Sequence, residues 1–150
     1  MTLNRRAALS LTLGAAALAA TPARASTPPV YAVRGIALGG TDTVAYFTDS
    51  RPVAGKAKHS ADWNGATWHF ASAENRATFL ADPTAFAPQY GGYCAWAVSR
   101  GYTASTVPEA WEIVDGKLYR NFSLGVRSRW RRDIPGNIAK GDANWPGVLA

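Results

Sequence analysis

The sequence predicts an α+β fold in which β-hairpins alternate with short helices. Two turn signals support this, because Asn64-Gly65 and Asp115-Gly116 each stand between segments of strand composition and are residue pairs that tight hairpins prefer. Two helix starts complete the pattern, since Ser72 and Ser123 precede apolar positions at helical spacing and serine is a favoured N-cap. At 150 residues and 47% hydrophobic composition, the chain can bury the core of one domain.

The first 25 residues have the pattern of a signal peptide. Arg5 and Arg6 precede an uncharged run over 7–20, and Ala-x-Ala stands at 23–25, which matches the charged, apolar and cleavage regions of an export signal. The apolar run is shorter than the roughly 20 residues of a membrane-spanning helix. The flanks of the paired arginines fit the twin-arginine pattern poorly, so the Sec route is favoured over Tat. We therefore expect a periplasmic or secreted protein without membrane attachment after cleavage.

The net charge, the cysteine count and the missing motifs exclude several classes of function. The chain has 16 Lys and Arg against 10 Asp and Glu, a formal charge of +6. Cleavage after Ala25 removes three arginines and no acidic residue; the remaining +3 is too small to indicate a nucleic-acid partner. One cysteine excludes an internal disulfide and a multi-thiolate zinc site. The sequence has no phosphate loop, Gly-x-Ser-x-Gly or His-Glu-x-x-His motif, so no nucleotide cofactor is expected.

The elements of the first half follow from local patterns. Residues 26–34 are predicted to form a flexible lead. Residues 44–47 (VAYF) have strand composition, and 53–61 alternates polar and apolar positions as a second strand. The strand after the Asn64-Gly65 turn places Trp68 and Phe70 on one face. A helix over 73–81 follows Ser72 and ends at Asp82-Pro83.

The second half contains a short helix, a hairpin and a second capped helix. Cys94 follows two glycines and is predicted to lie in the first turn of a helix that Gly101 closes. The Asp115-Gly116 hairpin comes next, and the helix after Ser123 extends to about Asp133. A short helical turn is predicted at 137–140, and Trp145 is expected to hold the tail against the body.

Five stretches of the chain form a recognisable combination. They are residues 42–47 (DTVAYF), 63–72 (WNGATWHFAS), 79–83 (FLADP), 90–95 (YGGYCA) and 133–146 (DIPGNIAKGDANWP). Together they resemble the exported bacterial branch of the YHS-domain family. The resemblance implies one YHS-type domain over 35–150, with a small core related to the metal-binding TRASH and treble-clef domains and a C-terminal hairpin-helix extension.

The resemblance also directs attention to one cysteine. Intracellular YHS and TRASH modules use several cysteines as metal ligands, and this chain has Ala45 and Ser72 where such modules place them. The exported branch instead centres on the cysteine of Gly-Gly-Tyr-Cys, where some members carry selenocysteine. The resemblance therefore implies redox or metal-binding chemistry at Cys94. The family pattern has a histidine at the position of His59, whereas the position of His69 holds other residues in the family.

Cys94, His59 and Asp42 are the candidate metal ligands. A helix N-terminus favours a thiolate, and a thiolate with an imidazole suits copper or zinc, with copper first in the affinity order. Asp42 is the weaker third candidate. Each residue has a structural alternative: Cys94 as a buried core thiol, His59 as a surface histidine, and Asp42 as the cap of a turn.

Three functions remain open from the sequence. The first is an exported protein that binds a transition metal through Cys94. The second is a redox-active thiol at Cys94 that cycles through a sulfenic acid. The third is a non-catalytic module that binds a small ligand or a protein through its aromatic residues. Other catalytic motifs are missing from the sequence, and a nucleophilic Cys94–His59 pair would need the two side chains within hydrogen-bond reach. A binding protein is therefore favoured over an enzyme.

Overall fold

The computed structural model describes residues 15–21 and 26–150. The paired arginines and the cleavage site of the predicted signal peptide, in residues 1–14 and 22–25, lie outside the described residues. Within the described ranges, no helix is long and apolar enough to cross a membrane.

The structure is a mixed α+β fold, as predicted. A four-stranded sheet has the order β1-β2-β4-β3, in which β2 runs parallel to β4 and the other neighbours are antiparallel. Its strands are β1 (Ala32–Val33), β2 (Ile36–Ala37), β3 (Lys56–Trp63) and β4 (Ala66–Phe70). A separate hairpin pairs β5 (Trp111–Val114) with β6 (Lys117–Arg120).

Short helices lie between β2 and β3, between β4 and β5, and after β6. The α-helices are α1 (Ala45–Thr48), α2 (Ala73–Ala81), α3 (Pro83–Phe86), α4 (Ala95–Ser99), α5 (Leu124–Trp130) and α6 (Ile134–Asn144). Single 3₁₀ turns occupy Leu38–Gly40, Gln89–Gly92, Arg131–Asp133 and Gly147–Leu149.

Both predicted hairpin turns are confirmed. Asn64 and Gly65 have φ of 50° and 80°, and Asp115 and Gly116 have φ of 50° and 74°, the positive pair that a type I′ turn requires. The caps are confirmed as well, because Ser72 Oγ accepts the Asn75 amide at 3.1 Å. Ser123 Oγ likewise accepts the amide three residues later at 3.1 Å. Local chemistry therefore determines where these elements begin.

The strand predicted at 44–47 is wrong, because these residues lie in and around helix α1. Asp42 Oδ1 accepts the amides of Val44 at 2.9 Å and Ala45 at 3.4 Å. An aspartate that bonds the amides two and three residues on turns the chain into a helical start, and this overrides the weak strand preference of the apolar residues. Two boundaries also move: β3 begins at Lys56, and the turn predicted at 137–140 is the longer helix α6.

The segment predicted as a flexible lead is packed against the body instead. Val30 is 3% exposed, and the Tyr31 amide donates to the Gly91 carbonyl at 2.9 Å. Tyr93 Oη donates to the Pro28 carbonyl at 2.9 Å. Backbone pairing and burial outweigh the local preference of the Pro-rich sequence, and the segment comes to support the 3₁₀ turn at Gln89–Gly92.

Two apolar clusters form the core. The first covers one face of the sheet and contains Trp68 and Phe79, whose ring centroids lie 5.1 Å apart. The second contains Tyr119 and Trp130, whose centroids lie 5.2 Å apart. Aromatic pairs at this separation add to the burial of their surfaces. The candidate ligand site lies at the junction of the two clusters.

Candidate functional site

A cleft of about 500 Å³ opens between the two clusters. Trp63 and Trp68 line it from the first cluster, and Tyr90 and Trp145 line it from the second. Trp63 and Trp145 are half-buried, so part of each indole remains available for contact. Small-ligand sites have volumes of roughly 300–1,000 Å³, aromatic walls and a few polar groups, and this cleft has that composition.

The polar lining of the cleft carries no net charge. Its two charged residues, Lys117 and Asp142, are both exposed and have opposite signs. Its neutral hydrogen-bonding side chains are Asn64, Thr84 and Gln89. Such a lining matches a neutral ligand with several hydroxyl groups better than an ion. A singly charged ligand would be repelled by whichever of Lys117 and Asp142 has the same sign of charge.

The backbone under the cleft is strained at Tyr90. This residue has φ 56° and ψ 34°, a left-handed conformation that is rare for a bulky side chain and costs on the order of 1–3 kcal/mol. Gly91 follows with φ 62°, and a Cβ there would collide with the Pro29 carbonyl oxygen. The strain persists because neighbouring segments hold the turn on both sides, and such conformations cluster at binding sites.

The Tyr90 hydroxyl fixes one charged group of the cleft. It donates to Asp142 Oδ1 at 2.9 Å and lies 3.2 Å from the Ile138 carbonyl. Gly141 permits this approach, since a Cβ there would collide with the hydroxyl. Burial raises the pKa of Tyr90 far above its usual value, and the hydrogen bond to Asp142 adds to the rise. Tyr90 therefore remains a protonated donor that orients the carboxylate.

Cys94 lies at a separate place, as the N-cap residue of α4 rather than in its first turn. The residue is 1% exposed. The Phe122 amide donates to Sγ at 3.3 Å, and Sγ lies 3.6 Å from Asn121 Oδ1. The sulfur also lines a mainly apolar cavity of about 280 Å³, together with Tyr102, other apolar side chains and one charged residue, Arg129. The thiol is thus enclosed by protein but borders on a space that a small ligand can enter.

Burial raises the pKa of the Cys94 thiol above its usual value. The backbone amides of Ala97, Phe122 and Trp96 act in the opposite direction, because they stabilise negative charge on sulfur. The rise prevails, so the resting group at neutral pH is the protonated thiol. The lowered pKa expected from a helix N-terminus is therefore wrong, since α4 has only five residues and desolvation outweighs its amides.

We expect Cys94 to react slowly in the folded protein. At pH 7.5, alkylation by iodoacetamide should be at least about tenfold slower than in the urea-unfolded chain, because enclosure limits access of the reagent to the sulfur and the raised pKa lowers the thiolate fraction. The folded rate should increase as the pH is raised towards the thiol pKa. Mass spectrometry of quenched time points measures both rates, and equal folded and unfolded rates would contradict the enclosed position of the sulfur.

Asp42 acts as a structural carboxylate. It is completely buried and accepts four hydrogen bonds, from the amides of Val44, Ala45 and Ala71 and from Asn75 Nδ2. These bonds join α1, the end of β4 and α2. The turn-capping alternative for Asp42 describes what its side chain does in the structure.

His59 lies in an irregular part of β3, where the pairing with β4 shifts register between Lys56 and Ser60. Neither His59 nor Asp42 borders the cavity beside Cys94. Among residues 15–21 and 26–150, no group of three or more His, Cys, Asp and Glu side chains is placed to hold a metal ion. The structure therefore does not bring the three candidate ligands together as one site.

Sequence reasoning missed the residues of the cleft. Trp145 was expected only to fasten the tail, and Lys117, Gln89 and Asp142 were not singled out. These residues come from segments far apart in sequence, and no spacing rule connects them. The one available signal was the high tryptophan content, six residues in the chain, which permits a ligand site without locating it.

Comparison with protein-family models, with curated proteins and with solved structures finds no match to this chain.

Proposed function

We propose that the protein is an exported, YHS-type binding module whose aromatic cleft holds a small neutral ligand. The observation that carries this proposal is the cleft of about 500 Å³ between the two clusters, with aromatic walls and balanced charges. The left-handed backbone at Tyr90 supports it, because strain at a pocket is a mark of a functional segment. The export pattern of the first 25 residues and the resemblance of residues 35–150 to the exported YHS branch support a function outside the cytoplasm.

We propose a mono- or disaccharide as the ligand class. The half-buried indoles of Trp63 and Trp145 offer flat apolar surface to the C–H face of a sugar ring. The amide and hydroxyl groups of Asn64, Thr84 and Gln89 both donate and accept hydrogen bonds, as sugar hydroxyl groups require. A zwitterion such as a free amino acid is the competing class, because Lys117 and Asp142 offer it one charge each.

Titration with a panel of neutral mono- and disaccharides tests this function. Intrinsic tryptophan fluorescence should change saturably with at least one sugar, at a Kd in the micromolar to millimolar range, about −8 to −4 kcal/mol. Free amino acids serve as the zwitterionic arm of the same experiment. Saturation by amino acids alone would overturn the ligand class, and no response to either set would overturn the cleft as a small-ligand site.

A second candidate function is capture of a soft metal ion, copper first, by Cys94. The specific observation in its favour is the position of Sγ beside an apolar cavity, where the Phe122 amide points at the sulfur and stabilises a thiolate once a metal displaces the proton. His59 and Asp42 do not border that cavity, so neither would supply a further ligand to a metal at Cys94.

Metal titrations separate this second function from the first. If Cys94 captures metal, Cu(I) or Zn(II) binding should be lost in the Cys94→Ser variant and retained in His59→Ala, because only the first substitution changes the cavity. Competition with a chromogenic chelator measures both affinities. Equal binding by the wild type and Cys94→Ser would exclude Cys94 as the ligand.

A further inference from the structure

A second surface pocket, of about 200 Å³, shares no lining residue with the aromatic cleft. Its walls come from helices α4, α5 and α6 and from the 3₁₀ turn at Arg131–Asp133. The charged residues of the lining, all of them exposed, are Arg100, Arg129, Arg132, Lys140 and Asp133. Four cations against one carboxylate give the lining a formal charge of +3, which equals that of the whole chain after Ala25.

Ion pairs within the protein do not compensate this charge. Among residues 15–21 and 26–150, the pocket residues take part in no ion pair. The one acidic residue of the lining, Asp133, caps α6, where its Oδ1 accepts the Gly136 amide at 3.0 Å. A pocket lined by charges of one sign concentrates counter-ions, so this lining attracts an anion.

The arginines of α5 and of the turn after it serve two purposes. Arg127 donates to a backbone carbonyl of β5 at 3.2 Å, and Arg131 pairs with a glutamate of the same strand. Arg129 and Arg132 line the pocket instead. The first two arginines therefore hold the hairpin against the helix, whereas the other two add their charge to the pocket.

Two further contacts fix parts of the lining. The Arg100 guanidinium lies 4.0 Å from the centre of the half-buried Trp96 ring, and this cation–π contact holds the charge in place. Asn137 is 3% exposed, and its Nδ2 donates to the Trp130 carbonyl at 2.9 Å. The pocket thus combines a positioned cation with a buried, fixed polar side chain.

We infer that this pocket binds a phosphate group, either as inorganic phosphate or as the end group of a small phosphate ester. The planar N–H donors of arginine match phosphate oxygens and form paired hydrogen bonds with them. A lining of +3 favours a multiply charged anion over a singly charged one such as chloride. The volume equals that of roughly six water molecules, which is enough for the five heavy atoms of phosphate, and the exposed rim lets an ester extend into solvent.

Titration of the wild-type protein with inorganic phosphate tests the site. The ionic strength is held constant with sodium chloride, and the indole N–H signals of the tryptophans are followed in ¹H–¹⁵N spectra. We expect the Trp96 signal to shift and saturate in the millimolar range, while those of Trp63 and Trp145 in the cleft stay in place. No shift, a shift that does not saturate, or an equal shift with sodium chloride alone would overturn the inference.

Glycerol 3-phosphate distinguishes the two sources of the phosphate group in a parallel titration. Tighter binding than inorganic phosphate supports an ester as the ligand, and weaker binding supports the free ion. Glycerol is the uncharged control and should leave the Trp96 signal in place. An equal response to glycerol would contradict recognition of the phosphate group.

Two adjacent arginines separate the pocket from the net charge of the protein. Arg132→Gln should weaken phosphate binding by at least about fivefold, because it removes a charged donor from the lining. Arg131→Gln removes the same charge one residue away, but Arg131 pairs with Glu112 and does not line the pocket. Its effect should stay within about twofold, since salt screens exposed charges. Equal weakening by both substitutions would contradict the site, and the wild-type comparison of phosphate with chloride stands without either variant.

Discussion

Replacing Asp42 with alanine is expected to destabilise the fold by about 3–5 kcal/mol, because hydrogen bonds to a charged acceptor contribute about 1.5–3 kcal/mol each and their donors would remain buried. The amides of Val44 and Ala71 and the amide group of Asn75 would lose their acceptor together. Urea unfolding followed by circular dichroism measures the change, with the m-value checked for two-state behaviour.

A matched substitution controls for the loss of an acidic residue. Asp49 is exposed and lies 3.9 Å from Arg51, so Asp49→Ala should change the stability by less than about 1 kcal/mol. The cost of Asp42→Ala should be the same in a chelator and in added Cu(II) or Zn(II). A cost within 1 kcal/mol of the control, or one that appears only with metal, would contradict the structural role of Asp42.

Replacing Trp145 with alanine is expected to weaken saccharide binding by at least about thirtyfold, or 2 kcal/mol, because aromatic side chains at the centre of a site dominate binding energies. Trp145 lines the cleft and packs 6.0 Å, centroid to centroid, from Tyr90. Its loss removes stacking surface and also loosens the wall that holds Tyr90. Isothermal titration calorimetry with the sugar of highest affinity measures the change.

Trp96→Ala is the control for this loss. Trp96 is also a half-buried tryptophan, but it borders the Cys94 cavity and stacks under Arg100 at 4.0 Å. Its removal should leave the saccharide affinity within about threefold of the wild type. Circular dichroism must show both variants folded at the titration temperature. Equal losses in Trp96→Ala and Trp145→Ala would indicate general destabilisation and contradict the cleft as the site.

The parts of the fold that the sequence predicts are those set by neighbours in the chain. The Asn64-Gly65 turn and the Ser72 cap depend on atoms within three residues of each other, so local chemistry was enough. Helix α1 was missed because the apolar residues 44–47 favour a strand, whereas Asp42 bonds the amides of Val44 and Ala45 and starts a helix. The position of Asp42 is also fixed by bonds from Ala71 and Asn75, about thirty residues away. The sequence has no signal for that contact.

The candidate sites also differ in how far they depend on residues distant in the sequence. Cys94 is conspicuous as the only cysteine, but its raised pKa comes from its burial in the tertiary fold. His59 and Asp42 have suitable chemistry, yet the structure does not place them at the Cys94 cavity. The cleft could not be predicted, because its walls belong to two clusters whose meeting is a property of the tertiary fold.

The indole N–H signals of the six tryptophans provide the most direct test of the proposed cleft. In ¹H–¹⁵N correlation spectra recorded during a saccharide titration, the signals of Trp63, Trp68 and Trp145 should shift together and saturate, since these residues line the cleft. Those of Trp96, Trp111 and Trp130 should stay in place. Shifts confined to Trp96, at the Cys94 cavity, or no shift with any sugar, would contradict a saccharide site between the two aromatic clusters.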